Sequence, residues 1–265
     1  MNIEQLRSEP HLSVSSIQKY IDCGLQYRFS KIDKIPPEFV SDNLVFGSSI
    51  HQALAEFNQE RLTGTRMKLK DLQAVFEKCW HDKAYENRWI KYSKDKGYAS
   101  LMAQGKNLLE AYHNALPSKQ LTIVSIEEPF KFEIDGLDVP IIGIMDLIEE
   151  DEEDGSIIIT EYKTAAKAYA VDDVDRNFQL TVYHMAARRN GYADRDIAFK
   201  IEALIKTKVP RFEQIYTTRC EVHDERAIRK IKNVWEGIQK NVFIPNDNSW
   251  KCNNCEYRSN CDNEI

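Results

Sequence analysis

Apolar positions recur along this chain with a helical period in its first half and a two-residue period in much of its second. In LSVSSIQKYIDCGLQYRFSKI (12–32), Ser13, Ser15 and Ser16 stand ahead of Ile17, Tyr20 and Ile21. That predicts a short capped helix with Cys23 near its end. Ile35-Pro36-Pro37 then breaks the pattern. In GSSIHQALAEFNQERL (47–62), Ile50, Ala53, Leu54 and Phe57 fall on one helical face, with His51 at its border. An amphipathic, aromatic-rich helical region follows from Lys70 to Ala115.

At Leu121 the period changes. LTIVSIEEPFKFEI, VPIIGIMDLIEE and SIIITEYKT read as three strands rich in β-branched residues, separated by Asp-Gly and Asp-Gly-Ser turns. Helix returns over Asp175–Asn190, IAFKIEALIKTK reads as a fourth strand, and Val222–Asn241 is a last amphipathic helix. The expected fold class is mixed α/β: a central mixed sheet flanked by helices, with a helical region in front of it. The organisation expected along the chain is an N-terminal segment (1–35), the helical region (36–120), the sheet core (121–243) and a C-terminal segment (244–265).

Composition narrows the function classes. Hydrophobic residues are 42% and charged residues 29% of the 265, an ordinary globular mixture that excludes a mostly disordered chain. No run approaches the roughly 18 apolar residues of a membrane span. MNIEQLRSEPHL lacks the basic start and apolar run of a secretory leader, so a cytoplasmic protein is expected. Net charge −6 argues against a polybasic coat for nucleic acid, although carboxylates that hold metal also subtract from the total. The segment 188–232 carries a local positive excess. The acidic run Glu149–Asp154 reads as a solvated hairpin loop.

Candidate chemistry lies in two places. In the second strand Ile142, Ile144, Asp146 and Ile148 share a face, and a lone Asp on an apolar face is expensive to bury as a free anion. In the third, Ile157, Ile159, Glu161 and Lys163 share a face, so a carboxylate and an ammonium emerge together near its end. The plain alternative is an ion pair capping the sheet. The sharper one is a metal site: two carboxylates can hold Mg²⁺ or Mn²⁺ while the Lys stabilises charge on a phosphate. The second place is the C-terminus, where Cys252, Cys255 and Cys261 form C-x2-C-x5-C. Clustered thiols in a reducing compartment point to zinc or iron, and three ligands are one short of the usual four. Cys79 and Cys220, among apolar and helical neighbours, are expected to be buried free thiols.

Asp146 followed by Glu161-Tyr162-Lys163-Thr164 resembles the signature of the PD-(D/E)XK nucleases. Gly47-Ser-Ser-Ile-His51 is similar to the Gly-x-x-x-His of their RecB-like branch, and Gln179-Leu-Thr-Val-Tyr183 to its Gln-x-x-x-Tyr. Ser13-x-Ser15-x-Ile17-x-x-Tyr20-x-x-Cys23, with the terminal cysteines, is similar to members carrying a 4Fe–4S cluster, namely CRISPR-associated RecB-like exonucleases and the AddB nuclease domain. The matches run from Ser13 to Cys261 in the family's order. Two positions depart from the pattern: Met145 precedes Asp146 where the family has Pro, and Gly24 follows Cys23 where Pro is expected.

The resemblance implies a restriction-endonuclease-like core and a metal-dependent deoxyribonuclease, an exonuclease acting on DNA in repair, recombination or phage or CRISPR processing. The alternative is an inactive binding module that keeps the fold. It implies Lys163, Glu161, Asp146, Gln179 and Tyr183 as catalytic residues, and His51, Asp146 and Glu161 as ligands of Mg²⁺ or Mn²⁺. Cys23, Cys252, Cys255 and Cys261 would hold 4Fe–4S, with Zn²⁺ the minority choice. A Gly-x4-Gly-Lys-Ser/Thr loop is missing from the 265 residues, so a helicase partner would sit on a separate chain. Lys206, Lys208 and Arg211, in the loop expected after the fourth strand, are the candidate phosphate contacts.

Overall fold

The computed structural model describes residues 3–87, 89–117 and 121–264. The N-terminal part holds α1 (Ile3–Ser8), β1 (Leu12–Ser13), α2 (Val14–Asp22), α3 (Gly24–Tyr27), β2 (Val40–Ser41), α4 (Asp42–Leu62), α5 (Leu69–Glu86), β3 (Ile90–Lys91) and α6 (Tyr98–Ala115). There follow β4 (Thr122–Phe132), β5 (Ile141–Glu150), β6 (Ile157–Ala165), α7 (Val171–Asp175), α8 (Phe178–Arg189), β7 (Ile197–Ile205), β8 (Arg211–Thr218), α9 (Glu221–Gln239) and α10 (Arg258–Asp262). No helix among the described residues is long and apolar enough to cross a membrane.

The serines ahead of Ile17 do cap α2: Ser13 accepts from the Ser16 N–H, and Ser16 accepts from the Ser13 N–H. Three expectations need correction. The helical stretch from Lys70 to Ala115 is two helices, interrupted where β3 pairs with β2. The helix expected over Asp175–Asn190 restarts after Arg176, because the Asn177 side chain accepts from the Leu180 N–H and caps α8. The loop after the fourth strand is only a turn: Arg211 opens a further strand, β8, paired antiparallel with β7. This strand escapes the pattern because it is an edge strand whose Arg211, Glu213 and Tyr216 reach solvent or its margin.

The sheet runs in the order β1-β5-β6-β7-β8, and β4 also pairs with β5. β6 and β7 are parallel, while β4–β5, β5–β6 and β7–β8 are antiparallel, so the sheet is mixed. On one face Ile17, Leu180, Ile231 and Val234 pack on Ile159, Phe199 and Ile201. On the other, Phe46, Ile50, Phe57, Trp80 and Tyr112 pack on Leu147, Tyr162 and Leu204. Of the acidic run, Asp151–Asp154 forms the turn between β5 and β6, but Glu149 and Glu150 end β5, and Glu149 is buried against Arg61 and Lys200 instead of solvated.

One irregularity positions everything that follows. β5 and β6 pair only over Leu147–Glu150 and Ile157–Thr160. Past Thr160, β6 continues along β7 to Ala165, whereas the start of β5 stays with β4 and, at Ile141 and Ile142, with β1. The two strands diverge at Asp146 and Glu161. Side chains meet backbone groups at the gap: the Tyr162 N–H donates to Asp146 Oδ2 at 2.9 Å, and the Tyr183 hydroxyl lies 2.7 Å from the Ile144 carbonyl.

Candidate active site

The gap receives side chains from both faces of the sheet. From the α8 side, Lys163 Nζ donates to Glu161 Oε1 at 2.6 Å and to Gln179 Oε1 at 2.8 Å. Gln179 Nε2 donates to the Tyr183 hydroxyl at 2.8 Å, and that hydroxyl is also 2.6 Å from Glu161 Oε2. From the α4 side, His51 Nδ1 lies 3.4 Å from Asp146 Oδ2. His51, Asp146, Glu161, Lys163, Gln179 and Tyr183 therefore converge. The i, i+4 spacing of Gln179 and Tyr183 places both on the α8 face toward Lys163.

Glu161 is 3% exposed, and Lys163 and Tyr183 engage both of its oxygens. Burial and then the Asp146 charge push its carboxyl above the usual range, against Lys163 and the Tyr183 hydrogen bond. Burial acts to lower the Lys163 ammonium, but the charge and hydrogen bond of Glu161 outweigh it and hold Lys163 higher than usual. Burial likewise acts to lower His51, and Asp146 reverses the sign to a net increase. Asp146 stands near enough for its charge to raise Glu161, and two carboxylates beside an imidazole are the donor types that suit a divalent cation. Among the described residues, however, no three His, Cys, Asp or Glu side chains close around one ion-sized point. Glu161 in particular faces Lys163 and Tyr183.

A groove opens from the site along α4, lined by Asn43, Leu44, Gly47, Ser48, His51, Gln52, Lys83 and Glu127. Lys206 reaches its rim: Nζ donates to Asn43 Oδ1 at 2.8 Å and sits 5.5 Å from the Phe46 ring centroid. Lys208 is exposed in the turn beyond. Arg211 is exposed at the start of β8 and pairs with Glu213 at 3.3 Å.

Several residues near the site carry no family motif. Lys83 and Glu127 come from α5 and β4, and only the fold brings them to the groove. Tyr169 follows β6: burial pushes its phenol up, opposed by the nearby Lys163 charge. Tyr162, the middle residue of Glu-x-Lys, faces the opposite side of the sheet from Glu161, which strand alternation alone indicates.

The four cysteines at the two ends of the chain meet. Cys23, Cys252, Cys255 and Cys261 line one small cavity with Leu25, Phe29 and Tyr257. The polypeptide itself joins these ends: Gln26 Nε2 donates to Glu256 at 3.0 Å, Asn246 Nδ2 to the Asp22 carbonyl at 2.8 Å, and Phe29 packs on Tyr257. Gly24 has a reason to stand where Pro was expected. Its N–H donates to the Ile244 carbonyl at 3.0 Å, and a Cβ there would lie 2.8 Å from the Ile244 nitrogen. Burial pushes the Cys255 and Cys261 thiols up. Cys79 is buried as expected, but Cys220 is exposed, because it precedes α9 with its Sγ 3.3 Å from His223 Nδ1.

The family profile of the PD-(D/E)XK nuclease superfamily matches residues 11–262. Among solved structures, a provisionally named exonuclease from Eubacterium rectale has a TM-score of 0.58 at 14% identity, covering 92% of this chain and 87% of its own. At that identity the likeness establishes the shared mixed α/β fold. Another solved structure, SSO0001, covers 95% of this chain and 96% of its own at 12% identity, with a TM-score of 0.33 that bears no argument. No curated protein sequence matches this chain.

Proposed function

The chain belongs to the PD-(D/E)XK nuclease superfamily, and on that premise we propose that it is a metal-dependent deoxyribonuclease of the RecB-like branch, an exonuclease acting at DNA ends. The observation that carries this reading is the Lys163 ammonium, held between Glu161 and Gln179 in the gap beside Asp146 and His51. His51, Asp146 and Glu161 are the residues that would hold a Mg²⁺ or Mn²⁺ ion, which would supply Lewis acidity toward a phosphodiester. Glu161 holds the Lys163 ammonium above its usual range. Its fixed positive charge stabilises the charge that develops on the phosphate. Gln179 aims that ammonium, and Tyr183 fixes the Glu161 carboxylate. Lys206 and Lys208 meet the DNA backbone where the groove begins.

The same reading assigns Cys23, Cys252, Cys255 and Cys261 to a 4Fe–4S cluster with an architectural role. Its support is the chemistry of four thiols lining one cavity, and the raised Cys255 and Cys261 thiols would release protons on binding it. It places the protein in the cytoplasm, in DNA repair or in phage or CRISPR DNA processing, with a helicase or similar partner on another chain.

The test is cleavage of end-labelled single- and double-stranded DNA, linear and circular, with Mn²⁺, Mg²⁺ or EDTA. The expected result is metal-dependent release of short products from linear DNA only. Cleavage of circles would overturn the exonuclease assignment, and no cleavage of any substrate would overturn the nuclease reading.

A further inference from the structure

We propose that Tyr162 is the positioning residue that sets His51 against Asp146, an inference that rests on the nuclease reading above. Its side chain is 2% exposed and points away from Glu161 and Lys163, into the core beneath α4. From there it touches both residues at the metal side of the gap. Its backbone N–H donates to Asp146 Oδ2 at 2.9 Å. Its ring meets the His51 imidazole edge-to-face, with centroids 6.2 Å apart and planes at 83°. Among the described residues, Asp146 Oδ1 and His51 Nε2 have no hydrogen-bond partner, so these atoms remain available to an ion.

The far end of the same ring is tied to the helix that carries His51. Asn58 is fully buried two turns further along α4, and its Nδ2 donates to the Tyr162 hydroxyl at 2.9 Å. Asn58 Oδ1 in turn accepts from Arg61 at 2.7 Å, and Arg61 pairs with Glu149 of β5 at 2.9 Å. Tyr162 thus touches α4 at two points, which constrains both the rotation of the helix and its position along its axis. The constraint matters at this place in the fold because the β5–β6 ladder has already ended. The Tyr162–Asp146 hydrogen bond links the strands there directly, beside the bridge that the Tyr183 hydroxyl makes between Ile144 and Glu161. An apolar residue of similar volume would fill the core equally well. A buried hydroxyl and a buried amide that must find each other select one register of α4 instead.

The experiment compares Tyr162→Leu, Tyr162→Phe and Phe57→Leu. Phe57 is a fully buried residue of the same helix and core cluster that meets Tyr112 and His113 edge-to-face, so Phe57→Leu controls for general loosening. Mn²⁺ affinity is measured by titration calorimetry, alongside the thermal midpoint of each variant. Tyr162→Leu should weaken Mn²⁺ binding at least tenfold, and Tyr162→Phe should weaken it several-fold, while Phe57→Leu keeps the original affinity at a comparably lowered midpoint. Unchanged affinity in a folded Tyr162→Leu would overturn the positioning role alone. If that variant does not fold, unchanged affinity in Tyr162→Phe does the same. Failure of the unaltered protein to bind Mn²⁺ would overturn the metal-dependent reading and this inference together.

Discussion

Lys163 and Asp146 sit in the same gap and carry opposite charge, yet they are assigned different work, and substitution separates them. Asp146→Asn keeps an oxygen for the Tyr162 N–H and loses the charge that a cation needs. It should retain the fold, lose most Mn²⁺ affinity and abolish cleavage. Lys163→Ala removes an ammonium that points at Glu161 and Gln179. It should keep Mn²⁺ affinity while kcat falls about 10²–10³-fold, the usual scale for one preorganised electrostatic group. Calorimetry and single-turnover rates on both proteins check the division. Equal loss of metal in the two would refute it.

At the scale of elements, the turn from β7 to β8 is where a protein of net charge −6 can offer local positive charge to a polyanion. Arg211 already pairs with Glu213 in β8, which leaves Lys206 and Lys208 as the candidate phosphate contacts. Burial lowers the Lys206 ammonium, but its place over Asn43 keeps it at the groove. Lys206→Ala/Lys208→Ala should flatten the slope of log K against log salt by roughly 1.4 units on single strands or 1.8 on duplex, two contacts' worth. Binding in Ca²⁺ at several salt concentrations reads this out, and adding Arg211→Ala should change the slope little. β7 also carries a charge inward: Lys200, 4% exposed, bridges Glu202 at 2.8 Å and Glu149 at 3.3 Å. Lys200→Met leaves the buried Glu202 without its cation, while Glu149 keeps Arg61, and should lower stability by about 3–5 kcal/mol in urea unfolding.

Across the whole molecule, the two ends of the chain are joined beside the cysteine cavity by backbone and side-chain contacts from Tyr20 through Ser259. Cys23→Ser and Cys255→Ser are far apart in sequence, yet should behave alike. Each should lose iron and shift the thermal midpoint downward, whereas Cys79→Ser and Cys220→Ser keep full iron content. Metal analysis of the purified variants decides this, and full iron in Cys23→Ser would break the proposed ligand set. Zinc in place of iron would retain the four-thiol site and replace its occupant.

The order of the longer helices and strands up to β7, the mixed sheet and the family were legible in the sequence because helix and strand periods, turn residues and Glu-x-Lys are local signals that survive in any context. Ser13 announced its cap, and Asp-Gly-Ser marked the hairpin between β5 and β6. β8 was hidden because an edge strand needs only one half-buried face, which Arg211, Glu213 and Tyr216 do not display as a clean alternation. The gap between β5 and β6 was also beyond reach, since where a ladder stops depends on which neighbours hold each strand, here β4 and β1 against β7. The sequence by itself determined which chemical groups this chain carries and on which strands and helices they ride. Only the tertiary structure decided that His51 and Lys163 approach Asp146 from opposite faces of one sheet, that Tyr162 lies between the helix and the gap, and that Cys23 meets Cys252, Cys255 and Cys261. Each of those meetings joins residues far apart in sequence, and packing, not local propensity, sets the distance between them.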